Sequence, residues 1–384
     1  RFKILHVIDG LGTGGGSERQ LLLNVFALNP ERFENFICYL KPEHGLVETL
    51  IKKGIHPYYL EVKGKLQWMT SINCLRRIII SHQIDLVHTS LVEADILGGI
   101  AGKLAKIPVI VTLTTSADDS LRLKHQTYLS PSKLFLSRNL NIMVQKFCCN
   151  HFVAVSEYVK RSAVQWLKIP REKITVIHRA VERDWLQSAP ESAIIAIRNE
   201  LSLDNYYPIL LNVGRLVAAK GQKYLLRAMP DIIKKLPKVK LLIAGEGPLR
   251  SDLEKVRKEL DLEETVSFLG KSQQVKQLIQ MCDIFVIPSI WEGFPGALLE
   301  AAAIGKPCIA SSEGPMREII EDGQSGVLVN PCSPHDIAEA VVQLSSNKEE
   351  AQNLGRKAQD IVKSKFIIDN TIKELEAVYT RFLE

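Results

Sequence analysis

The sequence predicts two α/β domains, each built on a doubly wound parallel sheet. Three observations carry this. Apolar runs of strand length recur at 2–9, 34–40, 56–60, 84–88, 108–113, 151–155 and 174–177, with helical patterns such as 67–82, 93–104 and 133–149 between them. The alternation restarts at "PILLNVG" (208–214) and continues through "VKLLIAG" (239–245), "VSFLG" (266–270), "DIFVIPS" (283–289), "PCIA" (307–310) and "GVLV" (326–329). The chain of 384 residues is also too long for one ordinary core. Strand–helix alternation on this scale means parallel strands covered by helices on both faces, which is why the strands are apolar throughout rather than alternating. The joint falls in "LQSAPESAIIAIRNELSLDNYYP" (186–208), a helix flanked by polar turns, so the domains are read as 1–185 and 186–367.

Composition is globular, with 46% hydrophobic and 24% charged residues. No run approaches the roughly 20 apolar residues of a membrane span, and no signal peptide is visible in a chain that begins at Arg1. The seven cysteines form no C-x-x-C pair and sit mostly in apolar runs, as reduced core residues of a cytoplasmic protein do. His/Cys metal spacings are absent, so no metal is expected. Charge is uneven. Residues 1–185 hold 25 Lys and Arg against 16 Asp and Glu, a net +9, while the remainder holds 24 against 27, a net −3. A basic first half points to an anionic partner, a lipid surface or a phosphorylated acceptor rather than a nucleic acid. The segment 121–147 has five cations, no acid, and Leu134, Phe135, Leu136, Leu140, Ile142 and Met143. It reads either as a membrane-facing element or as a helix packing its apolar side on the sheet.

"VIDGLGTGGGSERQLL" (7–22) places a G-x-G-x-x-G at Gly10, Gly12 and Gly15, after an apolar strand and before a helical pattern for which Ser17 is the expected cap. A dinucleotide site also needs an acidic residue ending the second strand, for the ribose hydroxyls. Here that strand, "ENFICYLKP", ends in Leu40 and Lys41, and Glu43 lies beyond Pro42. The loop is therefore read as a tight turn or as a backbone-amide cradle for some other phosphate.

The second half carries the stronger signals. In "NVGRLVAAKGQKYLLRAM", Arg215 and Lys220 lie between a strand's carboxyl end and a helix, where open α/β sheets bind ligands and where two cations suit a diphosphate. In "PSIWEGFPGALLEAAAIGKP" (288–307), Gly293, Pro295 and Gly296 make a tight turn into a helix. Glu292 stands in the turn and Glu300 about one turn into an otherwise apolar helix. A carboxylate there is costly unless it is satisfied, and a ribose diol would satisfy it. "AGEGP" (244–248) adds another glycine turn at a strand end.

These pieces, with "FLG", "GVLVNPCSPHDIAEAV", "GGGSE" (14–18) and "VAVSEYVK" (153–160), resemble the GT-B glycosyltransferases, specifically family four. The resemblance covers essentially the whole chain and is stronger after residue 205. It implies two Rossmann-like domains facing across a cleft, with the last helix, about 368–382, returning to the first. It implies a retaining transfer of a sugar from a UDP- or GDP-linked donor to a hydroxyl of a glycan or lipid-linked glycan, in polysaccharide or glycolipid synthesis. No metal and no tightly bound cofactor are implied. Arg215, Lys220 and Glu292 would serve catalysis. Gly15, Gly16, Gly214, Gly247, Lys271, Ser272, Gly293, Phe294, Pro295, Gly296, Leu299 and Glu300 would bind donor, and Ser17, Thr114 and Thr115 would lie on the acceptor side.

Two departures bear on the acceptor. The family's histidine after the fifth strand is replaced by Thr114, and its P-N-G-x-D is replaced around His178-Arg179-Ala180. The departing phosphate oxygen can take the acceptor proton; a relocated base would be Asp118, Asp119, His88 or His178. An epimerase or hydrolase on the same fold, or a weakly active sugar-nucleotide-binding partner protein, stays open as the alternative.

Overall fold

A computed structural model of the chain describes residues 1–13, 15–117 and 131–384, with the side chains of 65 and 131–138 outside the description. The described residues form two compact units, Arg1–Arg179 with Ile368–Glu384, and Ala180–Ile367. The division falls before the joint read from the sequence because residues 180–185 are tied to the second unit. The Val181 amide donates to the Phe366 carbonyl at 2.9 Å, and Lys276 Nζ donates to Asp184 Oδ2 at 2.7 Å.

In the first unit β1 (Phe2–Ile8), β2 (Phe33–Tyr39), β3 (Tyr58–Tyr59), β4 (Leu86–Ser90), β5 (Val109–Leu113), β6 (His151–Ala154) and β7 (Ile174–Val176) form one parallel sheet in the order β3-β2-β1-β4-β5-β6-β7. The helices are α1 (Gly16–Ala27), α2 (Val47–Lys52), α3 (Trp68–His82), α4 (Val92–Ala105), α5 (Pro131–Cys148) and α6 (Glu157–Ser162). Parallel crossovers are right-handed. The chain steps outward from β1 to β3 and then the other way from β4 to β7, so α1 and α2 cover one face and α3, α4 and α5 the other. Accordingly α3 packs on α4, and α4 on α5.

The second unit repeats the plan with β8 (Ile209–Val213), β9 (Lys240–Ala244), β10 (Val266–Gly270), β11 (Ile284–Ile287), β12 (Cys308–Ser311) and β13 (Val327–Val329), ordered β10-β9-β8-β11-β12-β13. Its helices are α7 (Glu191–Glu200), α8 (Gln222–Lys235), α9 (Arg250–Glu259), α10 (Val275–Met281), α11 (Gly296–Ile304), α12 (Pro334–Ser346) and α13 (Lys348–Lys365). Leu210, Leu241, Val286 and Ile309 from the sheet pack with Leu225 and Met229 of α8 and Ile337 and Val341 of α12.

The final helix, α14 (Ile368–Leu383), completes the first unit. Leu375, Val378 and Tyr379 join Ile4, Phe33, Leu86, Ile110 and Val153 in its core, and Tyr379 meets the Phe33 ring edge-on. Among the described residues no helix is long and apolar enough to cross a membrane.

Candidate active site

In the second unit the strand order turns back between β8 and β11, and the segments leaving these two strands carry the predicted cations and carboxylates. This is the switch point where open α/β sheets bind ligands. Asn212, 1% exposed, donates to the Val286 carbonyl at 2.8 Å and accepts from Gln222 Nε2, which also donates to the Arg215 carbonyl. This buried network fixes the start of the loop after β8. The Ile290 amide donates to the Ala219 carbonyl at 2.7 Å, joining the two loops. Gly221 makes the approach feasible. Its φ is +67°, and a Cβ there would run into the Pro288 carbonyl.

The loops bring Lys220 to Glu292, with Nζ donating to Oε1 at 2.5 Å and side-chain exposures of 22% and 11%. The lysine stem passes Gly214, 3.6 Å from where a Cβ would stand. Just beyond Glu292, α11 starts after Pro295 with no side-chain cap. Its first amides lack intrahelical partners and face outward with the positive end of the helix dipole. A Cβ on Gly296 would meet nothing within 4 Å. Glu300 is half-buried one turn into α11, between buried Leu299 and Ala301. Arg215 is exposed at the end of β8 and makes no ion pair with a described residue.

The other predicted donor positions divide by what they expose. Gly247 lets the loop after β9 close on the loop after β8, since a Cβ would stand 2.5 Å from the Leu216 carbonyl. The Leu216 amide donates to the Glu246 carbonyl at 3.0 Å. Phe294 is 1% exposed and packs on Phe366, and Leu299 is also 1% exposed, so both can offer a ligand only backbone. Gly293 and Pro295 are buried in the turn that aims α11. Lys271 is exposed after β10, and Ser272 accepts from the Gln274 amide at 3.0 Å at the start of α10. Ser289 was not anticipated from the sequence. It is fully buried between the two loops, and its hydroxyl has no partner among the described residues. Asn212 and Gln222 were also missed, because a polar residue within a strand or opening a helix carries no signal of a partner across the sheet.

In the first unit the glycine loop holds a protein carboxylate. A Cβ on Gly10 or Gly12 would stand 2.9 Å from Glu43 Oε2, and the Leu11 amide donates to the Glu43 carbonyl at 2.9 Å. A carboxylate lying across these glycines opposes a pyrophosphate there. Lys41 bonds Asp9 at 3.0 Å and lies 3.7 Å from Glu93.

The cap of α1 is Gly15, not Ser17. Any side chain at position 15 would run into the Glu18 carboxylate, which folds back over the helix start. Ser17 lies inside the helix and accepts from Arg179 Nη2 at 3.2 Å, and the same guanidinium occupies the space a Gly16 side chain would need. Ser17 and Thr114 line one pocket with Arg179, Ser90, Thr112 and Gln20. Thr115 is exposed next to it in sequence. His178 is half-buried, and Asp118 and Asp119 lie outside the described residues.

His88 borders the same pocket but is 6% exposed and has both ring nitrogens bonded, which argues against it as a relocated base. Its Nδ1 bonds the Tyr379 hydroxyl at 2.5 Å and its Nε2 bonds Thr112 Oγ1 at 2.7 Å. Burial, aided by the charge of His6, lowers its pKa to about 3. His6, bonded to Asn35 Oδ1 at 2.9 Å, is lowered by burial to about 4, against a partial opposing effect of that bond. Both rings are buried neutral, so between pH 6.5 and these values the unfolded chain binds more protons than the folded one. Stability is therefore expected to hold above about pH 6.5 and to fall as pH drops toward 4, by about 1.4 kcal/mol per pH unit for each histidine. Denaturant unfolding across this range checks it; a flat profile would refute the neutral, buried assignment.

Both units resemble known proteins. Residues 194–361 match the model of glycosyl transferases group 1, and residues 14–185 match that of Glycosyltransferase Family 4. Together these account for most of both units, and the chain belongs to the family-four glycosyltransferases of GT-B fold. A galactosyltransferase of Escherichia coli, UDP-Gal:alpha-D-GlcNAc-diphosphoundecaprenol alpha-1,3-galactosyltransferase, is 26% identical over 91% of this chain and 89% of its own length. An uncharacterized glycosyltransferase of Methanocaldococcus jannaschii is 34% identical over 60% of each chain. In fold, the chain resembles Anabaena HepE crystallised with UDP and glucose, with a TM-score of 0.86 and 21% identity over 99% of this chain and 100% of that one.

Proposed function

We propose that this chain is a retaining hexosyltransferase that takes its sugar from a nucleoside-diphosphate sugar. The acceptor is a hydroxyl of a glycan or lipid-linked glycan, in cell-surface polysaccharide or glycolipid synthesis at the cytoplasmic face of a membrane. The observation that carries the donor assignment is the Lys220–Glu292 pair beside the uncapped start of α11, at the switch point of the second sheet. As the bond from the anomeric carbon to the diphosphate breaks, negative charge grows on the leaving phosphate. Lys220, Arg215 and the α11 amides meet that charge with positive potential already in place. Glu292, held by Lys220, orients the sugar hydroxyls, and Glu300 takes the ribose diol. The acceptor oxygen bonds to the anomeric carbon on the face the diphosphate leaves, and its proton passes to the departing phosphate oxygen. No protein base and no metal enters these steps.

The acceptor side is assigned to the pocket holding Ser17, Thr114 and Arg179. The activity of the E. coli relative, transfer from UDP-Gal to a diphosphoundecaprenol-linked sugar, supports a UDP-linked donor and a lipid-linked acceptor.

The donor site is tested by thermal shift with UDP, GDP and their sugars, since a ligand bound only by the folded state raises its apparent stability. Glu300→Ala and Arg215→Ala are expected to weaken binding of the preferred nucleotide by about tenfold to a hundredfold without unfolding the chain. Unchanged affinity in both would remove the assignment. Anomeric analysis of the product tests retention, and turnover in a chelator tests independence from metal.

A further inference from the structure

The outer face of α3 is an unusual surface. The turn before it and its outward stripe run Leu66, Met69, Asn73, Arg76, Arg77 and Ile80, at the three- and four-residue spacing that keeps them on one side. Leu66 is 100% exposed, Met69 70% and Ile80 58%, while Ile72, Leu75 and Ile79 on the opposite side are buried. No acid occurs from Val62 to Ile84, a stretch that contains Lys63, Lys65, Arg76 and Arg77. The layer continues through α4, which exposes Lys103 and Leu104, with exposed Lys106 just past its end, to α5, which exposes Met143, Lys146 and Phe147. α5 contains no acid either.

We propose that this helical layer, led by Leu66 and Met69, is the surface by which the protein lies on an anionic lipid bilayer. This deepens the membrane placement given under the proposed function. Large apolar side chains standing in water among cations match an interfacial helix, which sinks its apolar groups to the acyl boundary while its Lys and Arg meet lipid phosphates. A second copy of the chain would oppose cations to cations. The sequence singled out 121–147 for this role. Of that segment, Met143 and Phe147 are exposed, Leu140 and Ile142 are half-buried, and Leu134, Phe135 and Leu136 lie outside the described side chains.

The test is sedimentation of the full chain with phosphatidylcholine vesicles, with and without phosphatidylglycerol, at low and high salt. No donor or acceptor is present, so the result is independent of the transferase assignment. Binding is expected only with the anionic lipid and is expected to weaken with salt. At about fivefold per cation, Arg76→Gln with Arg77→Gln should lower the partition coefficient on the order of thirtyfold. Leu66→Gln with Met69→Gln should lower it by roughly tenfold. Both pairs are exposed, and an unchanged melting temperature will confirm that each variant folds. Equal binding to neutral vesicles, no binding to anionic ones, or unchanged binding by both variants overturns the proposal. So does a dimer in solution that the Leu66/Met69 variant dissolves.

Discussion

Lys220→Met is expected to lower turnover by on the order of a hundred- to a thousandfold, the usual effect of removing one group aimed at charge that develops in the transition state. Two consequences of the substitution must be separated. In the proposed mechanism Lys220 meets the leaving diphosphate, and in the structure it pairs with Glu292, whose side chain is only 11% exposed. Removing one partner of a largely buried pair leaves the other charge uncompensated, which destabilises the fold. The double variant Lys220→Met, Glu292→Gln removes that charge. It should recover most of the lost melting temperature while leaving turnover low. Recovery of turnover together with stability would show that Lys220 serves only as a counter-ion. The conservative Lys220→Arg is a poor rescue, because a planar fork cannot reproduce a short single contact to Oε1.

Gly221→Ala is expected to be the most damaging change that removes no chemical group. The residue sits at φ +67°, and its Cβ would enter the Pro288 carbonyl. The left-handed conformation costs about 1–2 kcal/mol for a residue with a Cβ, and relieving the overlap costs about 1–3 kcal/mol more. The melting temperature should fall by roughly 5–15 °C. Pushing Gly221 away from Pro288 also draws Lys220 away from Glu292 and strains the Ile290–Ala219 bond, so nucleotide affinity should fall in the fraction that still folds. Calorimetry and nucleotide titration read the two effects. An unchanged melting temperature would mean that the two loops do not close as described.

What could be read from the sequence, and what could not, follows the distance over which each feature is encoded. The strands announce themselves because a parallel strand is buried on both faces and must be apolar along its length, as in Ile4, Leu5, Val7 and Ile8 of β1. Glu300 stands out because a carboxylate in an apolar helix is locally anomalous, and Glu292 because it stands in the glycine-rich turn that opens that helix. The same reading could indicate that the glycine loop was no dinucleotide site, from Lys41 at the end of β2. It could not show that Glu43 closes the loop from across the chain. Ser17 misled as a cap because capping preference is statistical, whereas Gly15 is required by where Glu18 folds. His88 looked like an available base at a strand end. It is buried and bonded to Tyr379, 291 residues away, and no local pattern encodes that pairing.

That same pairing has a consequence for how the chain is made. The second unit is one continuous segment, Ala180–Ile367, whereas the first needs Ile368–Glu384 to cover Phe33 and to bond His88. A ribosome delivers the residues in order. The half synthesised first therefore waits, its core around Phe33 and His88 incompletely covered, while the half synthesised second has every residue it needs to close. Tyr379, which bonds His88, is supplied only after the whole of the second unit.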